Sequence, residues 1–301
     1  ERYANTGEAR VVGQTVELEG LRKDGSEFPL ELSLSAWKVA EGQFYCGIIR
    51  DITERKRAEV DRHEIRIASE MQESLFPSDA PSLTGFDIAG AVYPAARASG
   101  DYFDFIPMAN ETVGLVAGDV SGHGLGPAMM MVQTRAYLRS LIRTHDDPGE
   151  ILTETNQLLL PNDSGRFLTL IFCRLDPQTR SFTYASAGHT GYLLNQNGDV
   201  TTLDSTGMVL GVLADQLFTS APAISLQPGD LMLLPTDGIH EAHSPGKELF
   251  GVERTLDVVR ANREKPANEI VEALYQAARE FSDGRPQDDD ITAVVIKVQN
   301  D

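Results

Sequence analysis

The chain is poor in cysteine, tryptophan and positive charge, and it has no long unbroken apolar run. Two cysteines among 301 residues are too few for a disulfide scaffold or a cysteine-ligated zinc site. Both lie inside apolar strand-like runs, Cys46 in FYCGII and Cys173 in LIFCRL, which fits free thiols in a reducing cytoplasm. Lys and Arg total 26 against 45 Asp and Glu, a formal charge of −19. Such a surface repels nucleic acid and anionic membranes, so neither is an expected partner. No apolar run reaches the ~20 residues of a membrane span, and no charged-then-apolar leader opens the chain. It starts mid-pattern on ERYANTGEAR without an initiating Met, which reads as a piece of a longer protein. The 41% of hydrophobic residues suffice for real cores, and the length suggests about two domains.

Residues 1–53 read as antiparallel strands. In Phe28-Pro29-Leu30-Glu31-Leu32-Ser33-Leu34 the apolar residues fall on alternate positions, the period of a half-buried strand. Asp24-Gly25 is a turn pair before it, FYCGIIRDIT (44–53) a second strand and VVGQTVELE (11–19) a third. Residues 54–76 then carry Ala58, Ile65, Ala68 and Leu75 at helical spacing, widened by Ile67 and Met71. This predicts a signalling helix compatible with a parallel coiled coil, hence a homodimer, and Pro77 ends it. From 77 to 301, strands at 86–93, 112–120, 167–176, 181–188, 230–237 and 291–298 mix with helices at 125–145, 148–160, 253–262 and 267–281. Grouped strands followed by helices predict an α+β fold rather than a wound parallel sheet.

Four aspartates stand at the ends of apolar strand-like runs: Asp101 in ASGDYFDF, Asp119 in LVAGDVSGHG, Asp237 in LMLLPTDGIHEA and Asp289 in QDDDITAVVIKV. A carboxylate in such a place is costly without a cation. Four of them at strand ends suggest convergence on hard divalent ions, which take carboxylate, carbonyl and water oxygens. Each segment alone has a plainer meaning, since Gly-Asp, Thr-Asp-Gly and acidic runs are commonly solvated turns. Their joint occurrence points to a metal-dependent hydrolase.

In this order the segments resemble the metal-dependent protein phosphatase (phosphatase 2C-like) superfamily, in its bacterial SpoIIE/RsbU branch. The matching stretches are IASEMQESLFP (67–77), YPAARASGDYFDF (93–105), AGDVSGHGLGPAMMM (117–131), ASAGHTGYLL (185–194), GMVLGV (207–212), LQPGDLMLLPTDGIHEA (226–242) and QDDDITAVVIKV (287–298). The resemblance implies a β-sandwich of two antiparallel sheets flanked by helices. It also implies two Mn²⁺ or Mg²⁺ ions, with Asp119 shared between them and the Val120 carbonyl as a further ligand. Asp101 would complete one site, and Asp237 and Asp289 the other; Asp288 and Asp290 are then supporting or solvent-facing. These residues would act through a metal-activated water, with Arg97 as a phosphate contact. The implied activity is hydrolysis of phosphoserine or phosphothreonine on a cytoplasmic regulatory protein, by family habit a STAS-domain anti-anti-sigma factor. Ser121 occupies the offset of the eukaryotic members' histidine and His123 comes two positions later, so His123 is expected to be structural, and His189 to bond within its own turn.

Upstream, RKDGSEFPLELSLSA and GIIRDITERKRAE resemble the last strands and exit linker of a PAS sensory domain. The expected organisation is the C-terminal part of a PAS domain at 1–53, the signalling helix at 54–76 and the phosphatase at 77–301. Two rival readings are a PAS-linked sensor histidine kinase and a non-catalytic signalling module. The kinase would use His63 in HEIR and the glycines of GHGLG (122–126). The stretch between them is too short for a helical hairpin plus an ATP site, and the four acidic positions argue against a degenerate module.

Overall fold

The computed structural model describes residues 12–40, 42–95, 98–160 and 165–299. The chain divides into two compact units, Glu1–Ile67 and Ala68–Asp301. In the first, β1 (Thr15–Leu21), β2 (Glu27–Val39) and β3 (Gly42–Asp51) form an antiparallel sheet in the order β1-β2-β3. The register Leu18↔Leu30, Leu32↔Ile49 and Leu34↔Gly47 lines up the alternating apolar positions on one face. The other face carries charge: Glu17 and Glu31 pair with Arg55, and Glu17 with Lys56 at 2.6 Å. Asp51 caps the following helix, α1 (Thr53–Glu73), by accepting the Thr53 amide at 2.9 Å. Its hydroxyl and amide bonds from Thr53, with Arg22 beside them, lower its pKa to about 2. The division between the units falls inside α1. Cys46, expected within a buried strand, is exposed on β3.

The second unit stacks four layers. One sheet runs β10-β9-β12-β13-β4, from strands Val200–Leu203, Gly191–Leu194, Leu231–Pro235, Ile291–Val298 and Phe86–Tyr93. The other runs β11-β8-β7-β6-β5, from Ile224–Ser225, Ser181–Ala187, Leu168–Asp176, Val113–Val120 and Tyr102–Pro107. All their pairings are antiparallel. Alternation along each strand sorts its side chains between two cores. Leu115, Ala117, Ile171, Leu234 and Val294 fill the space between the sheets. Val116, Leu170 and Phe172 face outward onto α2 (Leu125–Leu141) and α3 (Pro148–Leu159). Leu233 and Val295 do the same under α5 (Gly251–Asn262) and α6 (Ala267–Phe281).

The helices follow from spacing. In α6, Ala267, Ile270, Val271, Leu274 and Ala278 are buried at i, i+3, i+4, i+7 and i+11, one continuous stripe. Each large aliphatic side chain so buried contributes roughly 1.5–3 kcal/mol. Asp147 caps α3, accepting the Glu150 amide at 3.0 Å ahead of Pro148 at the first turn. Asp104, fully buried on β5, takes two 2.7 Å bonds from Arg139 of α2 and one of 2.9 Å from the Tyr102 hydroxyl. That forked ion pair pins α2 across the sheet.

The expected α+β sandwich is thus present, and the strands at 86–93 and 291–298 coincide with β4 and β13. Four strands went unread: β5, β9, β10 and β11. The helix expected at 125–145 stops at Leu141, and Asp237–His240 forms a short helix, α4.

Candidate metal centre

The pairing of β5 with β6, Tyr102↔Gly118, sets Asp101 opposite Asp119 one step further along the same ladder. The Val120 amide donates to the Gly100 carbonyl at 3.3 Å, closing that end. The approach demands glycine: a methyl group on Gly100 would sit 2.8 Å from the Val120 carbonyl oxygen and 3.2 Å from Asp119 Oδ1. From the other sheet, the register Pro235↔Ala293 brings Thr236 beside Thr292. The Thr236 amide donates to the Thr292 carbonyl at 2.9 Å. Both hydroxyls donate to Asp101 Oδ2, that of Thr236 at 2.8 Å and that of Thr292 closer still. Asp101 is 1% exposed and is held by both sheets at once.

Asp237 opens α4 directly after Thr236, and Asp289 precedes β13. The two come together because Gly238 lies flat on the Asp290 peptide: a methyl there would meet the Asp290 carbonyl oxygen at 1.9 Å. Asp290 turns inward, accepting the Ala95 amide at 2.8 Å and the Gly100 amide at 3.0 Å. Its own amide donates to Asp289 Oδ1 at 2.8 Å. Asp290 therefore supports the Asp101 turn from behind, while Asp288 is solvent-facing with its side chain 76% exposed.

The four aspartates lie near enough to act on one another's charge. Burial raises the Asp101 carboxyl well above the ordinary range, and Asp119 raises it further against the pull of the two threonine hydroxyls. Asp119 is pushed up to about 7 by burial, then by Asp237 and Asp289. Asp237 is raised by burial and by Glu241; Asp289 is raised by burial and by Asp237. Asp237 and Asp289 are solvent-exposed, so the repulsion between carboxylates is the stronger part of the argument on that side.

This donor set fits a particular kind of ion. Among the described residues, no group of three or more Asp, Glu, His or Cys side chains is gathered that could hold a metal ion. A soft or tetrahedral metal needs such a group. A small hard dication that keeps most of its water needs only one or two carboxylates per ion. Mutually repelling aspartates at four strand ends suit the second kind.

The remaining expectations divide. Val120 is buried at the end of β6, with its carbonyl oxygen against Gly100. Arg97 lies outside the described residues. His123, expected to be structural, is exposed, and its charge slightly favours the ionised form of Asp289. His189 bonds within its turn through its backbone amide and the Ser186 hydroxyl at 3.2 Å. Its ring reaches further, with Nδ1 3.2 Å from the Thr169 hydroxyl. His240 sits 3.0 Å from the Thr255 hydroxyl, and His243 is 3.7 Å from Asp288. His63 is exposed on α1, 3.1 Å from Arg66.

One residue that sequence reasoning missed is Gln72 of α1, 5% exposed. Its amide donates to the Ser99 carbonyl at 2.6 Å and accepts the Ser99 amide at 3.0 Å. The Ser99 hydroxyl in turn accepts the Asp101 amide at 3.1 Å. A polar residue at a core-facing helix position was the available signal. Thr236 and Thr292 gave none, because threonine is ordinary in strands.

Comparison with known proteins agrees with this geometry. Residues 109–299 match the family model described as Stage II sporulation protein E (SpoIIE). Protein IcfG of Synechocystis is 30% identical over 79% of this chain and 42% of its own length. Phosphoserine phosphatase RsbU of Bacillus subtilis is 28% identical over 78% of this chain and 70% of its own. The chain thus spans less than half of the first relative. Among solved structures, the SiaA-PP2C domain of Pseudomonas aeruginosa superposes with a TM-score of 0.71 at 23% identity, covering 84% of this chain and all of that domain. That likeness is one of fold.

Proposed function

The chain belongs to the SpoIIE family, and from that premise we propose that it is a metal-dependent protein serine/threonine phosphatase. The observation that carries this reading is that Asp101, Asp119, Asp237 and Asp289, from four separate strand ends, come near enough to raise one another's pKa. Asp119 would bind both of two divalent ions, Asp101 one of them, and Asp237 with Asp289 the other, with the Val120 carbonyl as a further ligand. When bound, Mn²⁺ or Mg²⁺ supplies positive charge to the phosphoryl oxygens and lowers the pKa of water held between the ions.

The chain's own residues do the positioning. The hydroxyls of Thr236 and Thr292 hold the Asp101 carboxylate in one rotamer. The Asp290 carboxylate fixes the Gly100 turn by accepting the Gly100 amide. Arg97, by its place in the motif, would contact the phosphate.

The phosphorylated partner is a cytoplasmic regulatory protein of the STAS-domain anti-anti-sigma type. The N-terminal sheet is the end of a PAS sensor. Helix α1 would carry its state through Gln72 to the Asp101 turn and would pair two copies of the chain through its exposed Ile65, Ile67 and Met71.

The test is turnover of p-nitrophenyl phosphate and of phosphoserine peptides with Mn²⁺, with and without chelator, alongside calorimetric titration of Mn²⁺ into metal-free protein. Metal-dependent phosphate release without ATP and two binding events per chain are expected. Full turnover in excess chelator would refute the reading, and sedimentation as a monomer at micromolar concentration would refute the pairing.

A further inference from the structure

A cavity of about 460 Å³ opens beside the metal centre, lined by Gly126, Met129, Met130, Arg166, Gly211 and Val212 among others. Its connection to the centre is covalent and close. The Ser121 amide donates to the Phe167 carbonyl at 2.9 Å, and the Phe167 amide donates to the Ser121 hydroxyl at 3.0 Å. Arg166 thus lies one strand spacing from the turn that follows Asp119 and Val120. The far wall is equally fixed. Leu210 exchanges backbone bonds of 2.9 and 3.1 Å with Leu168, and the buried Asn156 holds the Gly211 amide and the Leu213 carbonyl at 2.8 Å each.

The lining mixes polar and apolar surface. Met129 and Val212 line it, and with Leu125, Phe167 and Leu213, the chain neighbours of lining residues, they are each 42% to 54% exposed; Arg166 is the one charged side chain of the lining. Among the described residues Arg166 makes no ion pair or side-chain hydrogen bond, and its guanidinium lies across Gly126. A methyl group on Gly126 would meet Nη2 at 2.5 Å. An unpaired cation in a chain of net charge −19 marks a place for an anion. A second cavity, about 120 Å³, borders Asp289 and mixes Glu241 and Asp288 with Arg279 and His243. The lining around Arg166 carries no such opposing carboxylate, so an acidic residue of an occupant is attracted there.

We propose that this cavity docks the segment flanking the target phosphoserine, taking an apolar side chain against Met129 and Val212 and a carboxylate on Arg166. The inference rests on the phosphatase reading and adds to it a substrate class: phosphoserine embedded in acidic, leucine-bearing sequence. Its occupant is the substrate itself, since whatever fills a cavity sharing a wall with the catalytic turn lies alongside the reacting phosphate.

The test compares three synthetic phosphoserine peptides of equal length with Mn²⁺: one with Glu and Leu within four residues of the phosphoserine, one with Lys for Glu, and one with Ser for Leu. The wild-type chain is expected to favour the first over each of the others by about tenfold in kcat/KM, mainly through KM. Arg166→Glu is expected to reverse the charge preference, so that the lysine peptide becomes the better substrate. Such a gain cannot arise from misfolding. Met129→Asp is expected to erase the leucine preference alone. Equal turnover of the three peptides by the wild type, or a charge preference that survives Arg166→Glu, overturns the docking proposal while leaving the phosphatase intact. A wild-type chain that hydrolyses neither p-nitrophenyl phosphate nor any peptide overturns both.

Discussion

The two halves of the carboxylate centre are built on opposite principles. Asp101 and Asp119 sit opposite each other on one ladder, enclosed, each with its pKa raised by burial, with threonine hydroxyls fixing Asp101. Asp237 and Asp289 stand at the rim, exposed, placed by the contact of Gly238 with the Asp290 peptide. The enclosed half spends packing and hydrogen bonds on geometry before any ion arrives. The rim half leaves its carboxylates free to meet water and substrate. Affinity and pH response belong to the first, and access to the second.

The sharpest way to break that contrast is Asp119→Asn, the one aspartate common to both halves. Turnover of p-nitrophenyl phosphate is expected to fall by at least about 10²–10³-fold, and calorimetry to show loss of the paired Mn²⁺ events. A variant that retains activity would mean that the halves work independently.

A second route is pH. Asp119 has its pKa raised to about 7 in the folded chain, against an ordinary value near 3.9 when unfolded. The folded state therefore binds more protons than the unfolded state between those values. This contribution to stability is fully present below about pH 4 and is lost as pH rises through about 7. Metal-free protein should melt at progressively lower temperature across that window, and Asp119→Asn should flatten the slope. Saturating Mn²⁺ should reverse it, because cations replace the proton.

The third change, Thr292→Val, removes one hydroxyl from Asp101 while keeping shape. A hydrogen bond to a charged group contributes about 1.5–3 kcal/mol, so Mn²⁺ affinity should weaken by roughly ten- to a hundredfold with the fold intact. The smallest effect is expected at Asp288→Asn. With its side chain 76% exposed, Asp288 should change turnover by less than about twofold, as for exposed charges generally. A larger loss there would show that the rim is more enclosed than its exposure indicates.

Much of the centre was legible because each aspartate ends an apolar strand, and strand ends are where a sandwich brings distant segments together. The run Asp288-Asp289-Asp290 was resolved correctly only in outline. Three identical side chains differ in fate because β13 starts at Ile291, turning Asp290 inward and leaving Asp288 out. Strand β5 was unreadable because Tyr102–Pro107 is buried on nearly every position, so it shows no alternation. Strands β9 to β11 have only two to four residues, shorter than any periodicity can reveal. The threonine clamp was hidden for another reason. It depends on the pairing Pro235↔Ala293, a long-range register that no local pattern encodes.

The clamp on Asp101 has a mechanical corollary. One carboxylate is bolted to a ladder of the first sheet, and through Thr236 and Thr292 to two strands of the second. Sliding one sheet over the other by even a fraction of a residue would tear that junction. Ion release and separation of the layers should then occur as one event, with each bound cation acting as a rivet whose loss loosens the whole sandwich.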